Sequence, residues 1–246
     1  MSITYLFKFL EDGAELKIET ASASEQKEER KAISPADWTK LEYCQCSNCP
    51  LNRGEVTHCP AALDIQPIVE DFRELPGFKK VSVTVTSDER EYHKITGLEE
   101  GLRSLMGLIM ANSDCPILAN LKPMAFTHLP FATHDEFIIR SAGTYLLRQY
   151  FNMRDKKEAD WELDGLVSLN RELQLVNQAI WHRVHSACHG DSNLKALLSF
   201  FTLSSSVSYS LETQLNRLKS HFLNETESLQ LFEFNDVNNG ETKWHP

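Results

Sequence analysis

The sequence predicts an α+β fold: a small antiparallel β-sheet of hairpins carrying a cysteine-rich loop, followed by a mostly α-helical C-terminal half with a long antiparallel helix pair. Three observations predict it. Strict alternation of apolar and polar residues marks two hairpins in the first hundred residues, the period of the pattern switches from two to three or four at Thr96, and two extended leucine-rich stripes fill the last third. These divisions suggest an α+β cysteine-containing domain over 1–133, a helical domain over 134–234 and a disordered tail over 235–246.

The first hairpin is read from Ile3–Leu10 and Glu15–Thr20, which flank Asp12-Gly13, a dipeptide suited to the positive φ of a tight turn. Ser22 to Lys31 is a mixed-charge run without apolar periodicity and reads as a solvated loop or short exposed helix. Trp38 to Tyr43 reads as a short strand entering the cysteine loop. Pro60 to Phe72 is spaced as a helix that Pro67 makes imperfect. Val81–Thr86 alternates and, with Glu91–Ile95, forms the second hairpin.

From Thr96 the spacing of Leu98, Leu102, Leu105 and Ile109 is helical, with Thr96 and Glu99 as a capping box. Pro116–Leu121 allows one or two helical turns, and Met124–Thr133 reads as a packed irregular linker. A second box, Thr133 with Glu136, opens a helix through Tyr150. Leu163, Leu166, Leu169, Leu173, Val176, Ile180 and Val184 then form one stripe, stopped by Gly190. The partner helix, capped by Asp191 or Ser192, carries Leu194, Leu197, Phe201, Leu211, Leu215, Leu218 and Phe222. Its serine-rich middle, Thr202–Ser210, reads first as close packing or a bend and second as a groove admitting a ligand.

The chain has 246 residues, 41% of them apolar and 24% charged, an ordinary globular composition long enough for a sizeable core. Its 25 Lys and Arg against 35 Asp and Glu give a formal charge of -10, which repels nucleic-acid backbones and anionic lipid. Neither nucleic acid nor membrane is therefore expected as a partner. The start, Met1-Ser2-Ile3-Thr4-Tyr5, lacks the basic and apolar regions of a secretory signal, and Leu105–Ala111 is far shorter than a membrane span. A cytoplasmic location is expected, where cysteines stay reduced and more often bind metal or react than pair as disulfides.

Four of the six cysteines lie between Cys44 and Cys59. Cys46-x2-Cys49 lets two sulfurs face one tetrahedral ion, Cys59 supplies a third ligand, and a fourth comes from Cys44, His58 or Cys115. Cys44 and Cys46 in extended chain would lie about 6.5 Å apart on one face, too wide for one ion. Cys115 is preferred, because Cys49, Cys59 and Cys115 each precede proline. Cys-Pro reads as an N-cap before proline at the first helical position, where amides and dipole favour a thiolate. The expected ligand set is thus Cys46, Cys49, Cys59 and Cys115, with zinc as the ion; the spacing does not match ferredoxin-type cluster runs.

The competing readings are a redox dithiol at Cys46 and Cys49, and plain buried cysteines. A cysteine nucleophile would need His58, His128 or His134 as a base to Cys59 or Cys115. His182, His185, Cys188 and His189 form a second cluster, with His185 and His189 four apart on one face, but histidines near a helix end also suit its dipole. No Gly-x-Gly-x-x-Gly, phosphate loop or Gly-x-Ser-x-Gly occurs.

The string Cys46-Ser-Asn-Cys-Pro-Leu51, with His58-Cys-Pro60, Leu102-Arg-Ser-Leu-Met-Gly107, Cys115-Pro116, Leu121-Lys-Pro-Met124, His128-Leu-Pro-Phe131 and Tyr145 to Phe151, resembles a family of bacterial proteins carrying an unassigned domain. The resemblance spans most of the chain and implies a bacterial source and nothing catalytic. The functional expectation is a metal-stabilised regulatory or protein-interaction module, with a protein as its partner. A thiol-dependent redox sensor or cysteine enzyme is the alternative.

Overall fold

Alternating burial along the first strand sets the architecture. In β1 (Ile3–Phe9) the side chains of Ile3, Tyr5, Phe7 and Phe9 are buried while the residues between them are not. One face of the sheet is therefore a core face. The structure is a computed structural model that describes residues 2–20 and 34–223. The charged run at Ser22–Lys31 and the tail from Asn235 lie outside the described residues.

Four antiparallel strands form one sheet in the order β2-β1-β3-β4, with β2 spanning Glu15–Thr20, β3 Lys80–Thr86 and β4 Glu91–Gly97. Tyr5 pairs with Ile18 on one side and Val85 on the other, and Val83 pairs with Lys94. Gly13 takes φ 71 in the first turn, the left-handed conformation that a side chain would strain. Both predicted hairpins are present.

Helix α1 (Pro60–Asp71) and helix α2 (Leu98–Asn112) supply buried apolar residues to the core that covers this face. Phe72, at the end of α1, meets Phe7 edge to face with ring centroids 5.3 Å apart. Helix α2 is capped differently from the expected box. Thr96 remains in β4, paired with Val81, and its hydroxyl donates to the Glu100 carboxylate; Gly97 is the N-cap residue and makes no side-chain cap bond. A strand that runs directly into a helix leaves its last threonine unable to turn back and cap.

Three further differences concern the middle of the chain. Trp38–Tyr43 is not a strand: Asp37–Thr39 is a 3₁₀ turn, and only Lys40 makes an isolated antiparallel bridge, to His58. The helical turns expected over Pro116–Leu121 are present as a 3₁₀ turn at Leu118–Leu121, but the linker expected from Met124 begins inside a short helix, α3 (Lys122–Phe126). Gly190 does not stop the long helix, which ends at His185. It lies against the Glu74–Leu75 backbone instead, where a Cβ would clash with the Leu75 carbonyl oxygen.

The helical half comprises α4 (His134–Arg154), α5 (Asp164–His185) and α6 (Ser192–Leu218). The capping box of Thr133 and Glu136 is formed in both directions at the start of α4. Helices α5 and α6 pack on one another, and α6 bends at Ser210, whose φ of -145 leaves the helical region. The serine run is accordingly a packed, bent segment: Gln174 of α5 donates to Ser208 Oγ at 2.6 Å, and Ser210 Oγ donates to the Ser206 carbonyl at 2.9 Å. Asp191 precedes α6 without a side-chain cap bond, because its carboxylate accepts from the Gly77 amide.

Two apolar cores result. The larger joins the sheet, α1 and α2 to Leu173, Val176, Ile180 and Val184 of α5 and to Ala196 and Leu197 of α6. The smaller holds Ile138 and Ala142 of α4 with Leu166, Val207, Leu211 and Leu218. No helix among the described residues is long and apolar enough to cross a membrane.

Candidate metal centre

The cysteine loop is fastened at its neck. Leu41 N donates to the Thr57 carbonyl and Cys59 N to the Thr39 carbonyl, so residues 41–57 leave and return through one short antiparallel bridge. Behind that neck stands Arg183 of α5, only 1% exposed. Its Nη1 donates to the carbonyls of Trp38 at 2.7 Å and Lys40 at 2.6 Å, and its Nη2 to that of Leu41 at 3.0 Å. Every acceptor it finds is main chain, and Nε has none. A buried cation thus holds the loop without a carboxylate partner among the described residues, an arrangement that is costly unless negative charge lies nearby.

The thiols supply a place for that charge. Cys46 and Cys49 sit at the two ends of a tight turn, closed by the Cys49 amide donating to the Cys46 carbonyl at 3.0 Å. Asn48, inside the turn, donates through Nδ2 to the Glu172 carbonyl of α5 at 3.1 Å and to the Glu172 carboxylate. Cys59 is the N-cap residue of α1, with Pro60 at its first position, as its sequence implies. Cys115 opens the turn that leads to the 3₁₀ segment, its amide accepted by Ser113 Oγ and its carbonyl accepting from Ala119. The third Cys-Pro departs from expectation: no helix starts after Cys49, and Pro50 continues an open loop.

Electrostatics show how these sulfurs stand to one another. The Cys46 thiol is pushed up to about 12, first by burial and then by the thiols of Cys59, Cys49 and Cys115, while Arg183 pulls it down. Burial also raises Cys59, against the amides of Ala62 and Ala61 and the charge of Arg183. Burial raises Cys115, opposed by the amides of Leu118 and Ile117, with Cys49 adding to the rise. Cys46 thus interacts with the other three, and Cys115 with Cys49 and Cys59, across three separate segments. They are gathered but not closed: among the described residues, no group of three or more Cys, His, Asp or Glu side chains has an arrangement that could hold a metal ion.

The other candidates disperse. Cys44 is half-buried and free, outside the set that interacts with Cys46. His58 bonds the Thr57 hydroxyl, and His128 bonds the Tyr5 hydroxyl at 2.6 Å, so neither is joined to a thiol. His134 lies beside Asp135. The His182, His185, Cys188 and His189 cluster is not a site. Its helix ends at His185, which stacks on Trp181, whereas His189 turns to Glu74 and Cys188 accepts from Asn193. The four-residue register that the sequence offers is lost once the helix ends.

Sequence reasoning missed Arg183. Its signal was present, since a cation three residues after Ile180 and next to Val184 falls on the buried stripe of α5, where an arginine calls for a partner. Asn48 was equally legible only in retrospect, as the polar tip of a turn whose anchor lies 124 residues away.

Comparison with known proteins supplies the family. A family described as "Domain of unknown function (DUF6901)" matches residues 3–223. The chain belongs to this family. The DUF6901 match takes in both halves of the fold, from β1 through α6, and all six cysteines. No curated protein and no solved structure matches the chain.

Proposed function

We propose that this DUF6901 protein is a cytoplasmic, zinc-stabilised regulatory or protein-interaction module, in which Cys46, Cys49, Cys59 and Cys115 bind one ion. The observation that supports the reading is that thiols from three segments of chain interact with one another beside the buried Arg183. Four thiolates around a divalent ion carry a net charge of minus two, and the buried Arg183 and the amides of Ala61, Ala62, Ile117 and Leu118 oppose it. The reading requires the four side chains to draw together around the ion from the Cys46–Cys49 turn, the start of α1 and the turn before the 3₁₀ segment. The ion then ties the loop after Tyr43 to the segment beginning at Cys115, and its binding free energy becomes folding free energy.

The raised thiols favour this reading over a redox dithiol or cysteine nucleophile. A thiol held near 12, as Cys46 is, forms little thiolate at neutral pH unless a cation displaces its proton. Support for an interaction role comes from the surface next to Cys115. There Phe126 (76% exposed), Leu147 and Phe151 stand out around an apolar groove that includes Pro116 and Arg148. Large exposed apolar groups of this kind are typical of contact surfaces.

The test compares two serine variants. Cys49→Ser lowers the thermal midpoint and the bound zinc together, whereas Cys44→Ser changes neither. Equal behaviour of the two variants would remove the proposed ligand set.

A further inference from the structure

A second site lies in the helical half. Between α2, α5 and α6, under the segment that follows Cys115, is a cavity of about 140 Å³ walled chiefly by Leu108, Leu173, Phe200 and Leu203. Two polar side chains on its lining, Asn177 and Ser204, are 6% and 5% exposed, and neither makes a side-chain hydrogen bond among the described residues. Their neighbours behave differently: Gln174, Ser205 and Ser208 bond one another across the same helix pair. Packing thus explains most of the serine run and leaves Ser204 over. Both polar groups remain accessible at the cavity wall, so whatever occupies the cavity supplies their hydrogen bonds.

The charge on the lining says what kind of molecule. Arg103 and Arg140 both border the cavity, whose lining among the described residues includes no carboxylate; Arg103 also pairs with Glu100 at 3.5 Å, which leaves Arg140 as the freer cation. Arg140 is half-buried and spends its Nη2 on the Met124 and Thr127 carbonyls, leaving the rest of its guanidinium without a carboxylate hydrogen bond. An apolar space of roughly 150 Å³ holds a benzene-sized molecule. Guanidinium groups recognise carboxylates through paired hydrogen bonds.

We propose that this cavity binds a small monocarboxylic acid whose apolar body is about the size of a benzene ring, with Asn177, Ser204 and the two guanidinium groups serving its polar end. The site is independent of the metal reading, which concerns a different set of side chains.

Benzoate, benzyl alcohol and benzylamine test it, added to the full chain and followed by amide chemical shifts. Benzoate is expected to saturate and to move the Asn177 side-chain amide. Benzyl alcohol, lacking the charge-assisted bonds, binds about tenfold more weakly, and benzylamine does not bind. Leu203→Trp fills the cavity and abolishes benzoate binding, with circular dichroism confirming the fold; if that variant does not fold, Ala132→Trp at the lining serves instead. A cavity that takes no benzoate holds water only and overturns the proposal. Equal binding of all three probes, or benzoate binding that survives the tryptophan variant, overturns it as well.

Discussion

Replacing Arg183 by methionine removes the strap between α5 and the neck of the cysteine loop. Three main-chain carbonyls, of Trp38, Lys40 and Leu41, lose a charged donor at once. The Lys40 carbonyl keeps the Tyr43 amide at 3.1 Å, so two acceptors, of Trp38 and Leu41, are left unsatisfied at about 1–3 kcal/mol each, a total near 3–5 kcal/mol. Exchanging a complete buried ion pair for apolar groups is often neutral, but here the carbonyls stay behind, so that compensation does not operate. For a chain of this size each kcal/mol moves the midpoint about 2–4 °C, giving a fall of roughly 10 °C. Urea unfolding followed by tryptophan fluorescence reads the loss, and Arg183→Lys, which keeps the charge but not the planar fork, falls between the two. A loss under about 0.5 kcal/mol would refute the idea that this side chain holds the loop.

Other consequences concern separate parts of the molecule. His128 is lowered to about 4 from its ordinary 6.5, by burial first and then by the charge of Arg140, while Tyr5, raised by burial, keeps its hydroxyl proton and shares a hydrogen bond with Nε2. Because the folded value lies below the unfolded one, the unfolded chain takes up the proton first. The neutral ring's contribution to stability is complete above pH 6.5 and is lost as pH falls toward 4, by about 3 kcal/mol at most. An NMR titration of the His128 ring should therefore find its midpoint near 4, and a midpoint near 6.5 would contradict that burial. Thr133→Ala removes one arm of the capping box on α4 and should cost about 1 kcal/mol in urea unfolding.

The sheet was legible because its signals are local. Alternation in β1 and β3 and the Asp12-Gly13 turn need no tertiary context, and the stripes of α5 and α6 are equally self-contained. The errors arise where two local rules compete. Thr96 and Glu99 have the spacing of a cap, yet β4 holds Thr96 against Val81 and the helix begins a residue later. Trp38 to Tyr43 has the composition of a short strand, but Trp38 and Leu41 are buried by a 3₁₀ turn and by the hold of Arg183 on their carbonyls. At the site, the Cys46–Cys49 spacing and the Cys59-Pro60 helix start could be read directly, whereas the approach of Cys115 depended on the path of 55 intervening residues. The same spacing rule failed for Cys49-Pro50, where the turn made by Cys46–Cys49 already fixes the backbone.

Metal content of untagged, natively purified protein, joined to X-ray absorption at the zinc edge, tests the central claim most directly. One equivalent of zinc per chain in an all-sulfur shell, at distances of about 2.3 Å, is the expected result. Protein that is fully folded, metal-free and no more stable when zinc is added would contradict it.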